Sequence, residues 1–218
     1  MTRFFNPNRK LARLVLCAMV AIVGTASGCA GVLVGLSWMM GGDMIPPRSK
    51  ALQGKRVAVV VVSDTSTYGR TGEAAMLNLN LNQMLRRNVR SVSMISPDRI
   101  ADWRDKTDDF SPDFKKLGKS VKADVVLVVQ MEGFSTESGK TLRKGKVDWG
   151  VTVYDVRGGE IAYRDKDTFQ FPQNGYHITD STPFQFRKEF VKRLAVTIAR
   201  HFHSYSKYDA LGLDPPGI

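Results

Sequence analysis

Two continuous runs of apolar, largely β-branched residues constrain the fold of this chain most. Residues 56–63 read Arg-Val-Ala-Val-Val-Val-Val-Ser, and residues 123–131 read Ala-Asp-Val-Val-Leu-Val-Val-Gln-Met. A strand with one solvated face alternates apolar and polar residues, whereas a continuous run is typical of a strand covered on both faces. The two runs therefore predict central strands of a sheet that carries helices on both sides.

Helical periodicity, caps and turns predict the remaining elements. In chain order they are a helix over 73–88, a short strand over 89–95, a helix opened by Ser96-Pro97, a helix opened by Ser111-Pro112, a strand pair over 146–156 and 160–171, and a long helix opened by a capping box at Thr182. The order β-α-β-α-α-β-β-β-α predicts an α/β class fold. We expect a single domain with a mixed β-sheet flanked by helices.

The amino-terminal segment has the pattern of a secretory signal. Four cations without an acid precede the apolar stretch 14–23, and small residues follow it up to Cys29. A cysteine directly after such small residues is what a bacterial lipoprotein signal requires, because its thiol receives the diacylglyceryl group and it becomes the new amino terminus. This interpretation predicts a signal peptide over 1–28 and lipidation of Cys29.

An uncleaved membrane helix is the alternative interpretation of the same segment. Residues 14–42 carry no charge, and a bilayer span needs about 20 such residues. Both alternatives place the bulk of the chain outside the cytoplasm. We expect residues 29–51 to form an apolar stretch and linker, residues 52–205 the extracytoplasmic domain, and residues 206–218 a flexible tail.

Cysteine usage and histidine spacing exclude several kinds of chemistry. The chain has only two cysteines, Cys17 and Cys29, so the domain has no disulfide framework, no cysteine metal ligands and no thiol nucleophile. His177 stands alone, and His201 and His203 are two residues apart on a predicted helix, which directs them to different faces. We predict packing or solvated roles for them, and no metal site, cofactor or catalytic residue.

The loop that follows the first strand is the one candidate ligand site. It precedes a helix, and α/β folds bind anions at such positions, although this loop lacks the glycine spacing that wraps a phosphate. The candidate ligand residues are Asp64, Thr65, Ser66, Tyr68 and Arg70.

The charge balance is basic, with a net charge of +11. An ordinary basic surface and attraction to anionic lipid or an acidic envelope polymer both remain open. The densest clusters, over 86–90 and 142–146, contain no aromatic residue, so nucleic-acid binding is not expected. The acids Asp165 and Asp167 are predicted to be solvated.

Short patterns within residues 52–172 resemble a known group of domains. The strand over 55–62, the Ala-Asp-strand element over 119–130 and the hairpin Val-Thr-Val-Tyr-Asp-Val-Arg-Gly-Gly-Glu-Ile over 151–161 are similar to those of TolB amino-terminal-like domains. Related domains occur in the curli secretion-channel lipoprotein and in outer-membrane lipoproteins that activate penicillin-binding proteins. The chain also resembles uncharacterised bacterial predicted lipoproteins. The resemblance implies a periplasmic binding or assembly module without catalysis.

These observations lead to one main hypothesis and two alternatives. We expect a non-enzymatic envelope lipoprotein, an α/β adaptor tethered to a membrane that recognises a protein or cell-wall partner. Edge strands of the 146–171 hairpin are natural surfaces for strand addition. The alternatives are an extracytoplasmic enzyme with its site in the loop over 63–72, and a single-span membrane protein with the same external domain. The oligomeric state is left open.

Overall fold

The computed structural model describes residues 44–64, 72–106, 113–138, 142–172, 177–178 and 182–208. The chain divides into two compact units, one comprising residues 46–205 and the other residues 1–45 together with 206–218. The main sheet, the helices and the candidate site belong to the first unit. Within the described ranges, no helix combines the length and the apolar character needed to cross a membrane.

Eight strands and four helices make up the described part of the chain. In chain order they are β1 (Met44–Ile45), β2 (Arg56–Ser63), α1 (Gly72–Asn88), β3 (Ser93–Met94), α2 (Pro97–Asp105), α3 (Phe114–Ser120), β4 (Val125–Ser138), β5 (Leu142–Asp155), β6 (Ile161–Phe171), β7 (His177–Ile178), α4 (Pro183–Ala199) and β8 (Tyr205–Ser206). The main sheet has the order β3-β2-β4-β5-β6, with β7 paired to the start of β5, while β1 and β8 form a separate two-stranded sheet.

The two apolar runs form neighbouring strands in the interior of the main sheet, as predicted. β2 and β4 are parallel, with Val57 opposite Val125 and Ser63 opposite Met131. β3 is parallel to β2, whereas β5 and β6 are antiparallel to their neighbours, so the sheet is mixed. Helices pack on both faces, and the predicted α/β fold class is confirmed.

One face of the sheet is covered by α1 and α4. Both helices are amphipathic, and their apolar faces meet the odd-numbered valines of β2 and β4 in the larger core cluster. The capping box predicted for α4 is present, because the Thr182 hydroxyl accepts from the Gln185 N–H and the Gln185 side chain accepts from the Thr182 N–H. Phe190, in the middle of α4, is fully buried.

The opposite face is covered by α2 and α3 over a smaller cluster that includes Ile100 and Leu117. A helix is present where Ser111-Pro112 predicted one, but its N-cap is Asp113 and not Ser111. The Asp113 carboxylate accepts hydrogen bonds from the Lys115 and Lys116 N–H groups. Ser111 and Pro112 lie outside the described residues.

The predicted strand over 89–95 is also too long. Val89 still donates its N–H to the Leu85 carbonyl, which continues the helical turn past α1. Ser91 then adopts a positive φ of 54°, a left-handed conformation that no strand contains. Only Ser93 and Met94 therefore pair with β2.

Candidate functional site

The β6 edge of the sheet is closed to strand addition in its middle. Alternate residues of an edge strand turn their backbone N–H groups away from the sheet, and Lys166 and Thr168 belong to that outward set. Lys166 N donates to Asp165 Oδ1 at 2.9 Å, and Thr168 N donates to Asp167 Oδ1 at 2.7 Å. An incoming strand would have to displace both carboxylates, which is a known way of protecting an edge.

This finding changes the predicted partner surface. Of the two strands in the 146–171 hairpin, β5 lies between β4 and β6 and has no free edge. β6 is an edge, but its outward N–H groups at Lys166 and Thr168 are occupied by carboxylates. The acids predicted to be solvated, Asp165 and Asp167, thus bond to the backbone. Acids alternating with cations along a strand are the sequence signal that could have indicated a protected edge.

At the other edge of the sheet, no described strand pairs with β2 beyond Ile95, but Val59 and Val61 are buried there, with 0% and 2% exposure. Ile95 donates its N–H to the Val57 carbonyl at 2.8 Å, and this bond is the last between the β3 segment and β2. Alternate residues point their backbone groups the same way, so Val59 and Val61 direct theirs to this side too. No described strand pairs with them here. Asn78 on α1 donates its Nδ2 to the Val59 carbonyl at 3.2 Å, which is a bond that a neighbouring strand would otherwise make.

A cavity of about 320 Å³ lies beside this stretch of β2, and we call it the β2-edge cleft. Residues of β2, α1, α2 and the start of α3 line it. Its lining is mainly apolar and includes Leu79, Ile100, Ala101, Trp103 and Phe114. Leu79 is 67 % exposed, which is a high value for a large apolar side chain. The volume lies at the lower end for ligand pockets, so the cleft suits a slender ligand.

A partly buried polar cluster connects the segment that precedes β2 to the β6 side of the domain. The Tyr163 hydroxyl lies 2.8 Å from His201 Nδ1 and 3.2 Å from Asp165 Oδ2, and Arg48 donates to the same carboxylate oxygen at 2.9 Å. Ser49 donates its backbone N–H to the His201 carbonyl at 2.8 Å. His201 was predicted to lie on a helix in a packing or solvated role; it lies after the end of α4 at Ala199 and is buried against the Tyr163 ring.

The environment of this cluster shifts three pKa values. Burial raises the pKa of Tyr163 to about 12, and the nearby Asp165 charge adds to the effect. Burial lowers the pKa of His201, and the Arg48 charge lowers it further. Burial also opposes ionisation of Asp165, but hydrogen bonds from the Lys166 backbone and Arg48 outweigh it, so the pKa of Asp165 lies below its usual value. At neutral pH the cluster is therefore a neutral His–Tyr pair beside an Arg–Asp ion pair.

Of the five candidate ligand residues, the structure describes Asp64. Asp64 Oδ2 accepts from the Gly133 N–H at 2.8 Å, and the Asp64 N–H donates to the Met131 carbonyl at 3.2 Å. Gly133 has a φ of +61°, so this carboxylate stabilises an irregular point in β4. Thr65, Ser66, Tyr68 and Arg70 lie outside the described residues, as does Cys29.

The described side chains contain no group of three or more His, Asp or Glu residues arranged to hold a metal ion. The only buried side-chain atoms without a hydrogen-bond partner in this part of the chain are Asn82 Oδ1 and Trp149 Nε1.

Comparison with protein-family models gave no match, and comparison with curated proteins gave none either. Among solved structures, the chain is similar to the PelC dodecamer from Paraburkholderia phytofirmans, with a TM-score of 0.43, 14% identity, and coverage of 73% of this chain and 95% of that chain. It is similar to lipoprotein GNA1162 from Neisseria meningitidis, with a TM-score of 0.42, 12% identity, and coverage of 66% and 97%. It is also similar to a minor lipoprotein from Acinetobacter baumannii, with a TM-score of 0.36, 14% identity, and coverage of 67% and 90%. Likenesses this distant carry no functional argument.

Proposed function

We propose that this chain is a non-enzymatic binding module of the bacterial cell envelope, tethered to a membrane by acyl chains on Cys29. Its domain faces the periplasm and recognises a protein or cell-wall partner. The basic leader, the short apolar stretch and the small residues before Cys29 support the anchor. Several acyl chains on one residue anchor stably, since each buried methylene contributes about 0.8 kcal/mol and a single chain is marginal.

The observation that carries this proposal is the asymmetry between the two edges of the sheet. The segment through which the chain enters the domain from the Cys29 side is held at β6, by the Arg48–Asp165 ion pair and the Ser49–His201 backbone bond. The opposite edge, beyond the end of β3, carries the β2-edge cleft. We expect a tether that continues from the segment held at β6 to leave the cleft accessible to a partner, as an adaptor requires.

Metabolic labelling tests the anchor. Cells that express the full chain are supplied with labelled palmitate, and we expect the chain to incorporate the label. Cys29→Ser should abolish incorporation, whereas the matched variant Cys17→Ser, at the only other cysteine, should retain it. An inhibitor of the lipoprotein signal peptidase should cause the precursor to accumulate.

An unlabelled, uncleaved chain that still sediments with membranes in both variants would contradict the lipid anchor. That outcome would support the single-span alternative instead. The enzyme alternative at the loop over 63–72 is a separate prediction, and its test is whether Ser66→Ala and Arg70→Ala abolish a ligand-dependent melting shift.

A further inference from the structure

The loops at one end of the domain lie together because all five strands of the main sheet path begin or end there. β2, β3 and β4 are parallel and begin at this end, whereas β5 ends and β6 begins there. Backbone hydrogen bonds join the loops. The Gly54 N–H donates to the Arg90 carbonyl at 3.2 Å, and the Asp124 N–H donates to the Arg56 carbonyl at 2.8 Å. One surface is therefore formed by residues 53–56, 89–92, 119–124 and 155–161.

This surface carries more cations than acids, and we call it the basic end. Its six cations are Lys55, Arg56, Arg90, Lys119, Lys122 and Arg157. Its three acids are Asp124, Asp155 and Glu160. The first two acids pair with Lys55, Arg56 and Arg157 at N···O distances of 3.1, 3.2 and 3.6 Å. The other three cations are exposed and take part in no ion pair among the described residues.

Helix ends account for only part of this positive charge. Arg90 follows α1, and Lys119 and Lys122 lie at the end of α3, where cations complement the helix dipole. Arg56 begins β2, and Arg157 lies in the turn between β5 and β6, so neither faces a helix end of its own element. Cations thus reach this surface from strands as well as from helices, and the excess charge belongs to the surface as a whole.

An exposed apolar side chain lies within the basic end. Ile161 begins β6 directly after the turn and is 45 % exposed, one of four large apolar side chains that are exposed among the described residues. Anionic head groups attract cations, and the acyl boundary beneath them accepts an apolar side chain. A dissolved acidic polymer would satisfy the cations but would offer nothing to Ile161. The combination therefore favours an anionic membrane surface.

The tether keeps this surface near a membrane, and this step rests on the function proposed above. Sixteen residues separate Cys29 from Pro46, where the domain begins. Even fully extended, this length of chain spans at most about 60 Å. Residues 53–56 of the basic end follow Pro46 closely in the chain. A domain held at such a distance has a high effective concentration at the lipid, so a weak attraction is sufficient to dock it.

We infer that the basic end docks on the anionic phospholipid head groups of the membrane that holds the tether. Arg90, Lys119 and Lys122 contact the head-group phosphates, and Ile161 enters the acyl boundary. β4 runs from the basic end to Ser138, so the far end of the β4–β5 hairpin points away from the lipid. Each cation near an anionic surface favours docking about fivefold, so the three unpaired cations contribute about a hundredfold.

Hydroxyl-radical footprinting with mass spectrometry tests this inference on the full gene product extracted from membranes. The protein is reconstituted in lipid nanodiscs of phosphatidylcholine alone or with about 30% phosphatidylglycerol. We expect oxidation of Ile161 to be about threefold slower or more on the anionic discs. High salt should remove this protection, because it screens the attraction.

Phe184 is the internal reference for the footprint. It is 61 % exposed and lies in the first turn of α4. The Arg187–Glu73 ion pair holds this part of α4 beside the start of α1, which follows the other end of β2. Phe184 is therefore remote from the basic end, and its oxidation rate should be the same on both kinds of disc.

Two triple variants separate docking at the basic end from a general effect of charge. The test variant combines Arg90→Glu, Lys119→Glu and Lys122→Glu and should lose the protection of Ile161. The control variant makes the same change in net charge outside the basic end and should keep the protection; it combines Lys166→Glu, Lys188→Glu and Lys192→Glu. The corresponding glutamine variant of the test positions adds no acid at a helix end, and it should weaken docking about a hundredfold.

Equal oxidation of Ile161 on both kinds of disc, or equal protection in the two triple variants, would overturn the inference. Protection by dissolved alginate on neutral discs, with none on anionic discs, would overturn it in favour of an acidic polymer. A palmitate-labelled chain without protection keeps the lipid anchor and refutes docking. Protection in an unlabelled chain keeps docking and refutes the lipid anchor.

Discussion

Adding one methyl group at Gly145 should destabilise the domain, because α4 packs directly on this glycine of β5. A Cβ at this position would lie 2.5 Å from Phe190 Cδ2 and 2.6 Å from Phe190 Cε2, closer than carbon atoms approach without displacement. The Phe190 ring has no room to withdraw. It is fully buried, and its edge-to-face contacts with Phe134 and Phe169 have centroid distances of 5.5 Å and 5.1 Å.

Two opposing effects set the expected change in the free energy of unfolding of Gly145→Ala. Overpacking of a well-packed core costs about 1–3 kcal/mol. Replacing glycine by alanine also reduces the entropy of the unfolded chain, which stabilises the fold by about 0.4–1 kcal/mol. Gly150→Ala is the matched control on the same strand, since its Cβ would meet nothing closer than Gln130 Oε1 at 3.6 Å. The two variants share the entropic gain, so Gly145→Ala should be about 1–3 kcal/mol less stable than Gly150→Ala.

Urea denaturation followed by circular dichroism measures this difference. Leucine is smaller than phenylalanine and has no ring, so Phe190→Leu should relieve the clash with the new methyl group. The double variant Phe190→Leu with Gly145→Ala should therefore lose less free energy of unfolding than the sum of the two single variants. Equal stability of Gly145→Ala and Gly150→Ala would contradict the close packing of α4 against β5 at Gly145. Strict additivity in the double variant would refute the assigned contact.

Three further changes test other parts of the fold. Val59→Asp or Leu127→Asp should unfold the domain, because an unpaired buried carboxylate costs several kcal/mol. A wild-type melting temperature in either variant would show that the substituted strand does not lie in the core. Thr182→Ala should cost about 1 kcal/mol by urea denaturation through loss of the α4 cap, whereas Thr182→Ser should retain it; equal losses would refute the hydroxyl's role. Hydrogen bonds from the Arg56 side chain and backbone lower the pKa of Asp124 from 3.8 to about 2. Asp124→Asn should therefore lower the melting temperature at pH 7, and its difference from wild type should shrink as the pH falls from 3.8 to about 2 and vanish below that pH. A difference that persists unchanged at that pH would show that the carboxylate charge is not responsible.

The sequence predicted the buried strands and the long helix because each has a local signal. The continuous apolar run over 56–63 coincides with β2, and the capping box at Thr182 begins α4. Local patterns failed where a single backbone angle or a competing cap decided the outcome. Ser91 turns the chain through a left-handed conformation and shortens the second strand, and Asp113 replaces Ser111 as the cap of α3.

The β2-edge cleft could not be predicted in the same way. Its lining comes from one strand and three helices, and it exists because β3 is shorter than the strand beside it. No local pattern encodes a difference in strand length. The protected β6 edge could have been predicted from the sequence. Cations and acids alternate over residues 164–167, and such alternation is typical of an edge strand that avoids unwanted pairing.

The most direct test of the tethered module is the intact mass of the full-length gene product extracted from membranes. We expect a chain that begins at Cys29, with the mass of residues 29–218 increased by a diacylglyceryl group and an amide-linked acyl chain. Mild alkaline hydrolysis should release only the two ester-linked acyl chains and leave a chain that still starts at Cys29 and carries the amide-linked acyl chain and the glyceryl thioether. A mass equal to that of the unmodified chain from Met1, recovered from the same membranes, would contradict the lipid anchor.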